Sequence, residues 1–259
     1  MKYFLDTEFI EGTQKKWFGQ TKPTIDLISI GIVCEDGREY YAISKDFNLK
    51  EAWNRFQRKE QTMFEKQNAF KGKKEYWIRD NVLKSIYTEL EKKEIDNYKG
   101  FTDPIYDLEL SFNYSCLKRL INKYGKSNKQ IAEDIKDFVF KGQGQKIRFD
   151  NSIQFYGYYS DYDWVVFCWL FGKMIDLPKG FPMYCVDLKQ TLDEKENNKI
   201  LIIDIATISN NMTIQDYIAK YCKFKSLKEY PNYPKQTNEH NALADARWNY
   251  ELYKFLKIL

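Results

Sequence analysis

The chain has 259 residues, of which 43% are hydrophobic and 17% aromatic, so it holds enough apolar material for the core of a globular domain. Its formal net charge of +4 is compatible with a polyanionic partner but too small to identify one. No apolar stretch approaches the ~20 residues that span a bilayer, and the five cysteines contain no C-x-x-C pair. We therefore expect a soluble, cytoplasmic protein with no membrane partner, built as a single domain over residues 1–259.

The first predicted elements are three strands. The apolar and aromatic run over residues 2–9 is typical of a buried strand, and it places Asp6 and Glu8 on one face because side chains two residues apart in a strand point the same way. Two further strands, over residues 25–34 and 38–44, complete an antiparallel meander.

The middle of the chain has a mainly helical pattern. Apolar spacing predicts helix from residue 48 to about residue 93, with a cap at Asn48. The segment 94–129 shows no clean period and is predicted to be an insertion or an irregular subdomain. An amphipathic helix is predicted around residues 131–139.

The last third alternates strands with helices. A strand near residues 153–159 leads through Asp163 into an apolar helix at 164–171, and another strand is predicted at 181–188. A helix over residues 242–256 closes the chain. Strands that alternate with helices after a meander predict an α/β fold, with a mixed sheet flanked by helices on both faces.

Four carboxylates and one histidine are the candidate functional residues. Asp245 is predicted on the inner face of the last helix, where a carboxylate is costly unless it is paired or bound to a cation. Asp6 and Glu8 on the first strand also need a cation or a paired group, and Asp163 adds a carboxylate from the end of another strand. Together these acids predict a site for two divalent ions, and His240, the only histidine, is placed to take a proton from an attacking water.

Each motif also has a purely structural interpretation. An Asp-x-Glu pair occurs easily in an acidic-rich chain, a histidine before a helix is often a surface or cap residue, and Asp163 could be a helix cap. Asp161 competes with Asp163 for the same role, because both lie at the predicted strand end. The joint occurrence of the motifs in order favours a functional site.

The combination resembles the DEDDh exonucleases. Asp6-Thr7-Glu8-Phe9 is similar to their first motif, Tyr162-Asp163 to their second, and His240 with Asp245 to their third. Further similar blocks point to the branch called RNase AS, a family of polyadenylate-specific exoribonucleases from bacteria and phages; they lie within residues 1–45, 76–84, 130–188 and 238–257.

The resemblance implies a ribonuclease-H-like five-stranded sheet, an antiparallel meander followed by parallel strands. It also implies a two-metal (Mg²⁺ or Mn²⁺) 3'-5' exoribonuclease that releases nucleoside 5'-monophosphates from single-stranded RNA 3' ends, with adenylate-rich RNA as one option. A DNA exonuclease and a catalytically silent nucleic-acid-binding protein are the alternatives.

Substrate contacts, insertions and assembly complete the expectations. Phe9 and Thr7, together with Trp77 and Arg79, are candidate substrate contacts, although Trp77 could equally be a core residue. Compared with a minimal family member, the chain carries extra sequence near residues 54–75, 94–129 and 189–235. The resemblance also implies a homodimer.

Overall fold

A mixed five-stranded sheet is the framework of the protein, seen here in a computed structural model. The structure describes residues 1–14, 22–58, 73–98, 110–141, 153–197, 213 and 226–258. The strands of the main sheet are β1 (Lys2–Gln14), β2 (Lys22–Cys34), β3 (Glu39–Ile43), β6 (Gln154–Gly157) and β7 (Cys185–Asp187). A separate two-stranded ribbon consists of β4 (Gln57–Arg58) and β5 (Lys74–Glu75).

The sheet has the order β3-β2-β1-β6-β7, with β1 at its centre. β1 pairs antiparallel with β2 and parallel with β6, while β2–β3 is antiparallel and β6–β7 is parallel. The long central strand therefore joins an antiparallel half to a parallel half. Its pairing register with β2 shifts between Glu8 and Phe9, which is the mark of a β-bulge.

Helices cover the sheet and extend the domain. They are α1 (Leu49–Asn54), α2 (Lys84–Tyr98), α3 (Tyr114–Tyr124), α4 (Asn128–Lys141), α5 (Asp161–Phe171), α6 (188–197) and α7 (Ala242–Ile258). A π-helical turn, Arg79–Leu83, runs directly into α2, and short 3-10 turns occupy Met174–Asp176 and Leu227–Glu229. Within the described ranges, no helix is both long enough and apolar enough to cross a membrane.

Three hydrophobic clusters hold these elements together. Odd-numbered residues of β1, such as Tyr3 and Leu5, pack with α4 and α5, whereas Phe4 on the opposite face packs with α6 and α7. The far end of β1 contributes Ile10 to a third cluster with α1, α2 and α3. The alternation of side chains along β1 therefore divides the core between the two faces of the sheet.

The structure confirms the α/β class, the meander and the mixed five-stranded sheet with flanking helices. The cap at Asn48 is also confirmed, because its side chain accepts a hydrogen bond from the Glu51 N–H. The single helical region from residue 48 to 93 is wrong: α1 ends at Asn54, and β4 and β5 lie between it and the π turn.

The prediction of irregular structure over residues 94–129 is wrong in part. The helix α2 extends to Tyr98, and Asn113 caps the regular helix α3 by accepting from the Cys116 N–H. The mixed aromatic composition of this segment concealed an amphipathic helix whose inner residues, including Leu117 and Leu120, are fully buried. Most of the proposed insertions at 54–75 and 189–235, and the centre of 94–129, lie outside the described residues.

Candidate active site

Two carboxylates of β1 lie at the centre of the candidate site. Asp6 and Glu8 project from the face of β1 that carries Phe4 and α7, and both are half-buried. Their partners across the ladder on β2 are Gly31 and Ser29. The strand thus brings two acidic groups side by side next to the start of α7, as the spacing of the sequence predicts.

The first turn of α7 supplies a third carboxylate. Asn241 caps this helix, because its side-chain oxygen accepts the Ala244 N–H at 3.1 Å. Asp245 follows one turn later and is only 7% exposed. Carboxylate oxygens of Asp6, Glu8 and Asp245 all lie within 4.8 Å of one another, a spacing that suits a shared metal ion.

Two residues that sequence reasoning missed let α7 come so close to the sheet. A Cβ atom on Gly31 would lie under 3.0 Å from backbone atoms of Ala242 and Leu243, so the helix start rests directly on the bare backbone of β2. Asn249, fully buried one turn after Asp245, donates its amide to the Leu5 carbonyl at 2.9 Å. A glycine within an apolar strand is the signal that could have revealed the close approach.

Asp163 lies in the first turn of α5, not at the end of a strand as predicted, because the helix begins at Asp161. Its Oδ1 accepts two hydrogen bonds from Thr7, from the backbone N–H at 2.8 Å and from the hydroxyl at 2.6 Å. Asp163 is 6% exposed, whereas Asp161 is exposed to solvent. Ser160 occupies the cap position of the helix, so the structural interpretation of Asp163 as a cap does not hold.

Burial raises the pKa of all four acids, and neighbouring carboxylates add to the shifts of Asp6 and Glu8. Burial, followed by repulsion from Asp163, Glu8 and Asp245, raises the pKa of Asp6 well above its usual range. Burial and the charges of Asp245 and Asp163 raise the pKa of Glu8 to about 8. Burial also raises the pKa of Asp163 to about 6, against the opposing hydrogen bonds from Thr7, and it raises the pKa of Asp245. Like charges at this density need a cation to coexist as carboxylates.

His240 stands beside this cluster at the entrance to α7. Its backbone adopts a left-handed conformation with φ of +66°, and its N–H donates to the second carboxylate oxygen of Asp245 at 2.9 Å. The imidazole is half-buried and meets the Trp77 ring edge-to-face, with centroids 4.6 Å apart. Gln236, which sequence reasoning also missed, donates to the first oxygen of Asp245 at 2.6 Å.

The remaining predicted site residues differ in their surroundings. Phe9 packs against Tyr162, with ring centroids 5.8 Å apart, and Tyr162 is 52% exposed. The Arg79 guanidinium pairs with Asp80 at 2.8 Å and lies 3.9 Å above the Tyr76 ring. The aromatic pair thus adjoins the acidic strand, whereas the guanidinium of Arg79 is already engaged by its sequence neighbours.

Two curated relatives are similar to the chain, while no protein-family profile matches it. They are named 3'-5' exoribonuclease Rv2179c, from Mycobacterium tuberculosis strain H37Rv, and 3'-5' exoribonuclease MT2234.1, from strain CDC 1551. Each is 28% identical over 195 residues, which cover 75% of this chain and 76% of the relative. The similarity supports a distant relationship to 3'-5' exonucleases.

Proposed function

We propose that the protein is a metal-dependent 3'-5' exoribonuclease of the DEDDh type, similar to RNase AS. Its substrate would be the 3' end of single-stranded RNA, and its products would be nucleoside 5'-monophosphates. The observation that carries the proposal is the convergence of Asp6, Glu8 and Asp245 within 4.8 Å, beside the buried Asp163. The names of the two mycobacterial relatives point to the same activity.

The residues of the site fit hard divalent cations. Every candidate ligand is a carboxylate oxygen, the donor type that Mg²⁺ and Mn²⁺ prefer. Burial, together with repulsion from neighbouring carboxylates that include Asp163 and Asp245, raises the pKa of Asp6 and of Glu8, and a positive charge at the site would relieve that repulsion. In the proposal Asp6, Glu8, Asp163 and Asp245 hold two ions, which would stabilise the attacking and leaving oxygens of a phosphodiester hydrolysis.

The chain's own groups would carry out the proton transfer and the orientation. The imidazole of His240 would take a proton from the attacking water as general base. Thr7 serves Asp163 rather than the substrate in this proposal, because its hydroxyl and its N–H both donate to that carboxylate. Phe9 is the proposed stacking surface for the terminal base.

The proposal also covers base preference and assembly. The aromatic rings of Phe9 and Tyr162 would offer sequence-tolerant stacking surfaces. Arg79, whose guanidinium lies over the Tyr76 ring, would add a cation to the substrate contacts. A preference for adenylate-rich RNA rests on the resemblance to RNase AS, and so does the homodimer. Light scattering of the purified chain tests the dimer, and a panel of homopolymeric oligoribonucleotides tests the base preference.

The activity itself is tested with 5'-labelled oligo(A), mixed-sequence RNA and single-stranded DNA of equal length. We expect stepwise shortening of RNA from the 3' end with Mg²⁺ or Mn²⁺ and none with EDTA. Asp6→Asn and Asp163→Asn should abolish turnover, whereas Asp161→Asn, a matched change at an exposed carboxylate, should not.

Two results would contradict the exoribonuclease. Shortening of DNA in preference to RNA would establish the alternative DNA exonuclease, because 2'-hydroxyl recognition would then play no part. Tight RNA binding by the wild-type protein with no mononucleotide release would establish the catalytically silent binding protein.

A further inference from the structure

The backbone of His240 is fixed, but its ring has few constraints. The left-handed conformation and the hydrogen bond from the His240 N–H to Asp245 set where the side chain starts. Among the residues that the structure describes, neither ring nitrogen makes a hydrogen bond. Packing is therefore the contact that can limit rotation of the imidazole among the described residues.

Trp77 provides that packing. Its ring meets the imidazole of His240 edge-to-face, with centroids 4.6 Å apart and planes at 72°. This is within the range of favourable aromatic pairs. Trp77 is 42% exposed, so the contact forms one wall of the site and not part of the hydrophobic core. An indole in this position blocks one set of imidazole orientations.

Two hydrogen bonds link the segment that carries Trp77 to its own turn and to the histidine loop. The Asn81 side chain lies in the turn Arg79–Leu83, which ends at the fully buried Leu83, and it donates to the Trp77 carbonyl at 2.9 Å. This turn is a π-helix, a rare geometry that often occurs at functional sites. On the same helical segment, Ser85 accepts a hydrogen bond at 3.4 Å from Asn241, the neighbour of the histidine. The segment from Trp77 to Ser85 therefore contacts the loop at both His240 and Asn241.

We propose that Trp77 is a positioning residue, which holds the imidazole of His240 in the orientation that proton transfer requires. The role rests on the proposed exonuclease function and adds a constraint to it. It differs from base stacking, because the tryptophan acts through the histidine and the effect of its removal should fall on turnover.

The contact can be measured without activity, because His240 is the only histidine in the chain. In an NMR spectrum of the untagged protein, the imidazole C–H signals belong to this residue alone, and the indole ring current shifts them. We expect Trp77→Leu to move these signals and Trp77→Phe to restore part of the shift. Trp169→Leu is the matched control, since Trp169 on α5 is 47% exposed, and it should leave the signals in place. Unchanged imidazole signals in the Trp77→Leu protein would overturn the proposal.

Kinetics then separate positioning from base stacking. We expect Trp77→Leu to lower kcat about 10-fold, a part of what a general base contributes, with little change in KM. Trp77→Phe should recover most of the rate, and Trp77→Leu should cost nothing further in a protein that already carries His240→Ala.

The two proposals fail in different ways. An active wild-type protein whose Trp77→Leu variant shows a raised KM and an unchanged kcat would overturn the positioning role alone. Absence of mononucleotide release by the wild-type protein would instead refute the exonuclease function on which that role rests.

Discussion

The close approach of α7 to β2 makes Gly31→Ala the sharpest test of how the site is built. The added Cβ would lie under 3.0 Å from backbone atoms of Ala242 and Leu243, and backbone cannot swing aside as a side chain can. Relief of the overlap requires a displacement of roughly 1 Å at the start of the helix. We expect this to cost about 1–3 kcal/mol of stability. The same displacement moves Asp245 away from its partners, so kcat should fall about 100-fold.

The assay compares mononucleotide release from oligo(A) at fixed Mg²⁺ with the urea midpoint of each protein. Gly12→Ala is the matched control, because the nearest atom to its added Cβ is 3.5 Å away, an ordinary contact. It should retain wild-type rate and stability. A Gly31→Ala protein with wild-type rate and midpoint would refute the reasoning. It would mean either that the start of α7 moves at no cost or that its position does not determine the position of Asp245.

Three further predictions follow from single contacts. Thr7→Val removes the hydroxyl that donates to Asp163 at 2.6 Å, and we expect metal affinity to fall about 10- to 100-fold in a Mn²⁺ titration. Asn249→Leu leaves the buried Leu5 carbonyl without its donor and should cost about 1–3 kcal/mol in urea unfolding. Without divalent cations, the stability due to Glu8 should be present below pH 4.5 and lost as pH rises to about 8, because burial raises the pKa of its carboxyl in the folded state.

Controls decide each of these outcomes. Thr7→Ser keeps the hydroxyl and should restore metal affinity; equal losses in both variants would show that the hydroxyl is irrelevant. Asn249→Leu with wild-type stability would mean that the carbonyl finds another donor. Glu8→Gln cannot ionise, so it should flatten part of the pH dependence, and Mg²⁺ should do the same in the wild-type protein. A Glu8→Gln protein with the wild-type pH slope would contradict the raised pKa.

Much of the fold follows from local sequence patterns. The apolar run around Asp6 and Glu8, the turn after β2 and the cap at Asn241 each depend on neighbouring residues, so the meander and the start of α7 could be predicted. The inward orientation of Asp245 was equally readable, because helical periodicity sets which side of α7 faces the core. Two-residue strands such as β4 and the helix α3 escaped prediction, since tertiary packing outweighs weak local preference there.

The sequence by itself therefore determined the residue types of the site and the elements that carry them. Only the tertiary structure decided how those elements meet. Gly31 lets the start of α7 contact the backbone of β2, Thr7 donates to Asp163, and Trp77 packs against His240. These contacts join residues far apart in the chain, and no local period encodes them. They depend on the packing distance between layers, which exists only once the sheet and its helices have assembled.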